Sequence, residues 1–452
     1  MEKKPQTLNK MGVMPVGKLI INMSLPMMFS MFILALYNIV DSMFVAMINE
    51  EALTALSLAF PVQNLLMSFA IGTGVGVNAL LSRRLGEQDQ TAVNKTAMNG
   101  LFLSICTSIV FVILGFFFLP LYLHSQATDP QIIEYGLEYL HVNLYCCVFI
   151  FTGVMFDRLL QSVGKTIYTM FSQLTGAIVN LILDPLMIFG IGPFPQMGVY
   201  GAAIATVIGQ VASLCVSSLS NKYKNHEIQL KLKGFRPDRR IIGQIYTIAV
   251  PSIILSSITS VTTYFMNLII GAFSTTAIAV YGSYFKLNSF IFMPVFGLNG
   301  GVVPIIAYNY GARNKERITK TVKLTLMTAI FLMCIGIAIF EIFPGFLLGL
   351  FSASESMLKI GIPALRIIAP SFLGAAIAIS LSSVFQAFGK STYSMNVSLI
   401  RQIFVLLPVA YLFSLTGDLN KVWLCFPIAE IASITVALLY FGRIKRKILD
   451  RL

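Results

Sequence analysis

The ten residues QSVGKTIYTM (161–170) return 225 positions later as QAFGKSTYSM (386–395), in a chain of 452 residues. Gln, Gly, Lys, Tyr and Met are kept, and Thr166 and Thr169 become Ser391 and Ser394. The same offset, without gaps, pairs Pro26 with Pro251, Phe60 with Phe285, Gly72 with Gly297 and Gly86 with Gly311. Near the end of each copy, GVYGAAIAT (198–206) aligns with KVWLCFPIA (421–429) after a shift of two residues. The chain therefore reads as one segment used twice. A phosphate-binding loop needs several glycines before its Lys, after a strand and opening a helix. Here one Gly precedes one Lys between apolar runs. The motif predicts a turn in which Gly takes a left-handed conformation and ends a helix.

Composition sets the solvent of that repeat. Apolar residues make up 56% of the chain and charged residues 11%, against about a quarter charged in soluble domains. FLSICTSIVFVILGFFFLPLYL (102–123) carries no charge, and about 20 apolar residues cross a bilayer as a helix. Charged and Gly/Pro-rich breaks divide the chain into twelve spans: 19–46, 52–82, 95–122, 131–157, 166–189, 199–221, 241–271, 276–309, 318–345, 357–386, 391–415 and 421–442. With both termini in the cytoplasm, only Lys359 and Lys421 of the 32 Lys and Arg fall in outside segments, and Lys286, Arg366 and Arg401 lie within spans. All the others are inside, as the positive-inside rule requires. That bias accounts for the net charge of +13 without a nucleic-acid partner. The expected setting is a bacterial-type inner (plasma) membrane, with lipid as the surrounding partner and a monomer as the unit. The six Cys form no CxxC pair and there are three His, which excludes a disulfide scaffold or thiolate metal site. HExxH and GxSxG are absent, so no enzyme and no cofactor is expected.

Six spans per copy is an even number, so both copies enter the membrane in the same orientation. Parallel repeats of this kind are a transporter architecture, with the substrate cavity between the halves. The division read from the sequence is an N-terminal lobe 1–220, a basic cytoplasmic linker 221–240, and a C-terminal lobe 241–452.

Ionisable groups inside a bilayer cost at least about 2.5–3.5 kcal/mol each, so each needs a reason. Asp41 lies deep in span 1, with Tyr37 and Asn38 one turn before it. Asn180 and Asp184 share a face of span 5 at i, i+4, as do Thr206 and Gln210 in span 6. Pro185 is expected to disturb span 5 locally, and Pro26 to bend span 1. The partners of Tyr37, Asp41, Asn180 and Asp184 at the 225 offset are Thr262, Met266, Val405 and Val409. An acid with a purely architectural role would recur in both copies, so the asymmetry marks Asp41, Asp184, Asn180, Tyr37 and Thr206 as an ion-coupling set. Such carboxylates can take up H⁺, or hold Na⁺ among the oxygens of Asp41, Asn180, Asp184 and Thr206. Asn38, Gln210, Tyr284 and Lys286 are read as substrate-cavity residues. Arg366, Arg401 and Glu430 are expected to pair with one another, and Asp157 with Arg158 to serve as a helix-end or gate contact.

SLP (24–26), YNIVDSMFV (37–45), GVGVNALLSRRLGEQD (74–89), NLILDP (180–185) and VVPIIAYNYGARN (302–314) resemble the multidrug and toxic compound extrusion (MATE) family over nearly the whole chain. The resemblance implies a V-shaped pair of bundles around a central cavity. It also implies a cation-coupled antiporter that expels organic, often cationic, compounds by alternating access. Acids confined to the first lobe are similar to the DinF-type branch, and the positions that match are Asp41, Asn180 and Asp184, with Tyr37 and Thr206 in support. The acids that the NorM-type pattern places in spans 7 and 10 are missing here. A lipid-linked oligosaccharide flippase of the same superfamily is the alternative. It would call for a more cationic cavity than Lys286, Arg366 and Arg401 provide.

Overall fold

The computed structural model describes residues 9–452, apart from 128, 232 and 352 and the side chains at 38, 39, 42, 46 and 50. Asn38, expected in the cavity, therefore lies outside the described side chains. All regular structure among the described residues is helical. The first copy contains α1 (Lys10–Val13), α2 (Val16–Ala46), α3 (Glu50–Gly86), α4 (Gln90–Gln126), α5 (Pro130–Tyr145), α6 (Cys147–Ser162), α7 (Thr166–Phe189) and α8 (Gly198–Lys224). The second contains α9 (Arg239–Gly271), α10 (Thr275–Gly311), α11 (Lys315–Ile342), α12 (Pro344–Gly349), α13 (Glu355–Ile368), α14 (Ser371–Ala387), α15 (Ser391–Leu399), α16 (Leu407–Ser414), α17 (Leu419–Trp423) and α18 (Cys425–Lys447).

Ten of these helical stretches are long and apolar enough to cross a membrane, and there are twelve if each of two bent pairs is one span. The bent pairs are α5 with α6, at 48°, and α13 with α14, at 50°. They stand at spans 4 and 10, the same place in each copy. In the second copy Pro370 begins the new helix and cannot donate a backbone hydrogen bond across the junction. Span 11 is also not one regular helix, because a π-helical segment, Ile400–Leu406, separates α15 from α16.

The repeat is visible in the hydrogen bonds that stop and start helices. The caps Asn49 and Ser274 accept from Ala52 N and Ala277 N at 2.7 and 3.0 Å. Asp89 and Asn314 accept from Ala92 N and Arg317 N at 2.9 and 3.1 Å. Asp129 and Ser354 cap α5 and α13. All three pairs keep the 225 offset, as do the two non-glycine residues with positive φ, Gln88 and Arg313. In the GK turns, Gly164 and Gly389 have φ of 86° and 72°. Lys165 N donates to Leu160 O and Lys390 N to Phe385 O, both at 2.8 Å. This six-to-one bond past a left-handed Gly is a helix C-cap, as expected of the motif.

The helices group into two compact units. One holds the described residues up to Lys10 with Phe29–Val250, the other Met11–Met28 with Pro251–Leu452. This grouping differs from the sequence division at 220 and 240 in two respects. The first half of α2 packs in the second unit, on α10, and the linker and first half of α9 pack in the first unit, on α3 and α4. Glycines make these approaches close. A methyl group on Gly297 would lie 2.4 Å from Met28 Cα, and one on Gly301 2.7 Å from Ser24 Cα. A methyl group on Gly76 would lie 2.6 Å from the Ile245 carbonyl oxygen. Ser24 also donates to Leu298 O at 2.9 Å. α2 continues through Pro26, and α7 through Pro185, without a break, so the disturbance expected at Pro185 does not interrupt the helix.

In the first unit, a core of Phe111, Tyr139, Leu140, Phe151 and Ile188 fills the end toward Val45 and Ala52. A second core joins Val77, Leu81 and Leu159 to Ile228 of the linker and Ile245 of α9. The linker is strapped down. Lys165 Nζ donates to Glu227 Oε2 at 2.8 Å and also to the Lys224 carbonyl. Gln90 Nε2 donates to Glu227 O at 2.6 Å, and Asn94 and Asn99 accept from Gln229 N and Asp238 N. The Lys of the repeated motif thus holds the linker.

Candidate functional site

The expected polar set converges inside the first unit, on α2, α7 and α8. Close packing of α7 against α8 makes this possible. Gly201, Ala205 and Gly209 recur every four residues on α8, a small-residue stripe that lets helix backbones approach. A methyl group on Gly209 would lie 2.7 Å from Gly176 O, and one on Gly201 2.6 Å from Met187 O. That contact brings Thr206 against Asn180 and Asp184.

Asp184 is fully buried, Asn180 and Thr206 nearly so, and Asp41 is 8% exposed. Asn180 Nδ2 donates to Asp184 Oδ1 at 3.0 Å and reaches Thr206 Oγ1 at 3.4 Å. The Asp41 and Asp184 carboxyl groups face each other within hydrogen-bonding reach, and the Tyr37 hydroxyl meets Thr206. Four enclosed oxygens, Asp41 Oδ1, Asn180 Oδ1, Asp184 Oδ2 and Gln210 Oε1, have no hydrogen-bond partner among the described residues. Two buried carboxyl groups so close cannot both carry charge with nothing between them. A proton shared by the pair, or a small cation among these oxygens, removes the repulsion. The donors are all hard oxygens, which suits H⁺ or Na⁺ and does not suit a soft metal.

Two further residues belong to the pocket. Tyr139 of α5 is 2% exposed, accepts from Gln63 Nε2 of α3 at 3.1 Å, and lies within electrostatic range of Asp41, Tyr37 and Asp184. The partner of Tyr139 in the second copy is Ala364, so the repeat comparison that isolates Asp41 also isolates it.

The remaining expected residues scatter. In the second unit Tyr284 is buried against Tyr281 and Phe426. Lys286 points elsewhere, is exposed, and stands 5.9 Å from the Phe351 ring. Arg401 Nη1 donates to Glu430 Oε1 at 2.9 Å, so that pair forms as expected. Arg366 approaches Glu341 at 3.9 Å in place of Glu430. Asp157 and Arg158, near the end of α6, engage different partners. Arg158 donates to Gln161 at 2.8 Å, whereas Asp157 accepts from Gln173 at 3.2 Å.

Two six-span copies, one of them enclosing a facing carboxylate pair, define a membrane transporter. The MatE family model matches residues 26–186 and again 251–412, so each match begins at one of the paired prolines. The chain belongs to the MatE family, whose members are transporters and not enzymes. It is similar to the multidrug export protein MepA of Staphylococcus haemolyticus, 26% identical over 407 residues and 89% of each chain. It is similar also to a FAD transporter of Shewanella oneidensis, 27% identical over 420 residues and 92% of each chain. The fold matches the outward-facing structure of a multidrug resistance MATE family transporter of the MOP superfamily, with a TM-score of 0.92 and 25% identity over 100% of both chains.

Proposed function

We propose that this protein is a cation-coupled antiporter that exports organic, often cationic, compounds by alternating access, with H⁺ or Na⁺ bound at Asp41 and Asp184. The observation that carries the reading is the pair of facing carboxyl groups, each with an enclosed oxygen that lacks a partner among the described residues. Loading the pair with the ion changes what Asn180, Thr206 and Tyr37 are bonded to. Tyr37 and Asp41 lie on α2, which also carries Pro26, the point at which that helix bends as the substrate site changes sides. The facing pair Asp41 and Asp184 in the first unit supports an assignment to the DinF-type branch. The protein works as a monomer in the plasma membrane with both termini in the cytoplasm. It uses no cofactor beyond the coupling ion and binds no nucleic acid. A flippase reading is weaker, because Arg401 and Arg366 of the second unit are engaged by Glu430 and Glu341, which leaves only Lys286 for a pyrophosphate.

The test is transport of ethidium by purified protein in liposomes under a pH gradient and, separately, a Na⁺ gradient. Asp41→Asn and Asp184→Asn are expected to lower gradient-driven transport by about a hundredfold, or roughly 3 kcal/mol at 1.36 kcal/mol per tenfold. Wild-type transport that responds to neither gradient, or full coupling in both variants, would refute the reading.

A further inference from the structure

A second enclosed carboxylate stands in the first unit, away from the pocket. Asp157 of α6 is 5% exposed. Gln173 Nε2 donates to its Oδ2 at 3.2 Å, Thr169 Oγ1 donates to its backbone carbonyl at 3.3 Å, and Ser172 lies within hydrogen-bonding reach of its carboxyl. Its Oδ1 has no partner among the described residues, and neither does Gln173 Oε1 beside it. Ser172 extends the cluster to α8 through Ser213, with the two hydroxyl oxygens 2.8 Å apart. The charge that acts on Asp157 is its neighbour Arg158, which is directed instead to Gln161 and to the α3 face at Gly74. From α7 the facing groups are Thr169, Ser172 and Gln173, and from α8 they are Ser213 and Asn221, which donates to Phe156 O. All five are uncharged.

The site has a place along a path. The buried polar residues of α7 are Thr166, Thr169, Ser172, Asn180 and Asp184. They form one stripe from the Asp41–Asp184 pocket to the end of the helix that the charge asymmetry assigns to the cytoplasm. The stripe is interrupted at Gly176, where the backbone of α7 meets that of α8. From Asp184 to Ser172 is about 18 Å at about 1.5 Å per residue, over half of a hydrocarbon core of about 30 Å. The second copy supplies a control. Ser394, the partner of Thr169, donates to the carbonyl of Ser382, the partner of Asp157, at 2.7 Å. The backbone tie between the helices is therefore present in both copies, and only the first places an acid there. An acid is not needed to join these helices.

We propose that Asp157, with Gln173, Ser172 and Ser213, is a second ion site, an inner station that holds the coupling H⁺ or Na⁺ between its release from the Asp41–Asp184 pocket and its exit to cytoplasmic water. A transported proton rests on Asp157 Oδ1 and leaves to water at the cytoplasmic end of α7. The proposal rests on the cation-coupled reading above. The Gly176–Gly209 contact between the two sites keeps them from forming a standing leak.

The test uses Asp157→Ser, the residue the second copy carries at Ser382, with Asp157→Asn alongside and Asp41→Asn as reference. Each is reconstituted and assayed for gradient-driven efflux of ethidium, for ethidium–ethidium exchange without any ion gradient, and for ethidium affinity. Both Asp157 variants are expected to lose about tenfold or more of gradient-driven efflux, with exchange and affinity within about twofold of wild type. Wild-type efflux in both variants, with Asp41→Asn inactive, overturns the inner station and leaves the coupling pocket standing. Parallel loss of exchange and affinity assigns Asp157 a structural role and also overturns it. A wild-type protein indifferent to both gradients removes both readings.

Discussion

Gly209→Ala tests whether the polar pocket depends on the close approach of α7 and α8. The new methyl group falls 2.7 Å from Gly176 O and 3.0 Å from Asn180 Cβ, where ordinary contact starts at 3.4 Å. Neither neighbour is the free end of a side chain, so the backbones must part by about 0.7 Å to restore ordinary contact distance. The hydrogen bond from Asn180 to Thr206 is 3.4 Å long to begin with, and that displacement takes it beyond bonding range. Overpacking contributes about 1–3 kcal/mol, and the buried bond, with groups left unpaired, about 1–3 kcal/mol. The total is about 2–6 kcal/mol, or about 4–24 °C in unfolding temperature at about 2–4 °C per kcal/mol for a unit of this size. The assay is thermal unfolding of detergent-solubilised protein, with gradient-driven ethidium efflux measured on the same preparation. Gly243→Ala is the control, since nothing lies within 4 Å of a methyl group there and Ala favours a helix over Gly by about 1 kcal/mol. A Gly209→Ala protein that unfolds with the wild type and transports with full coupling would refute the packing argument.

Three other outcomes are expected. Tyr139→Phe keeps the ring and loses the hydroxyl that accepts from Gln63, so coupled transport should fall about three- to tenfold while the unfolding temperature changes by only a few degrees, one hydrogen bond contributing about 1 kcal/mol; unchanged transport would remove Tyr139 from the pocket. Arg401→Met leaves Glu430 as a buried charge without its partner and should destabilise by about 3–5 kcal/mol, with Arg401→Met/Glu430→Met recovering most of the loss; thermal unfolding of the two variants decides, and equal loss in both would contradict the ion pair. Lys165→Ala should release the linker and speed proteolysis between 222 and 240, whereas Lys390→Ala should not, since the equivalent Lys390 is exposed and holds no linker; equal digestion of the two would show that Lys165 is no strap.

The pocket could be read from the sequence because an acid in hydrocarbon is expensive, and because the second copy puts Met266 and Val409 where the first has Asp41 and Asp184. Helix spacing then brought Tyr37, Asn180 and Thr206 in. Tyr139 and Gln63 escaped, since aromatic and amide side chains are common along membrane helices and carry no insertion penalty large enough to demand an explanation. Lys286 and Tyr284 were grouped by nearness in sequence, yet residues two apart on a helix face different directions. The exchange of α2 and α9 halves between units has only a faint signal, in Gly297, Gly301 and Gly76, because a missing Cβ permits close approach without saying by which helix. The bend after α5 has no proline to announce it, and the π segment at Ile400–Leu406 is marked only by Pro408 just beyond it, which cannot donate to the carbonyl of Phe404.

The capping residues carry a consequence of their own. Asn49 and Ser274, Asp89 and Asn314, and Asp129 and Ser354 keep their stations, while the residues of the polar pocket face Thr262, Met266, Ala364, Val405 and Val409 in the second copy. Helix ends are decided by a handful of side chains at the water boundary, and what lines the interior is decided by others. A duplicated gene built this way carries a spare scaffold: one half can surrender its chemistry and go on folding on the same schedule of starts and stops. Placing Tyr, Asp, Asn and Asp at 262, 266, 405 and 409 is therefore a reasonable way to build the same polar pocket into each half.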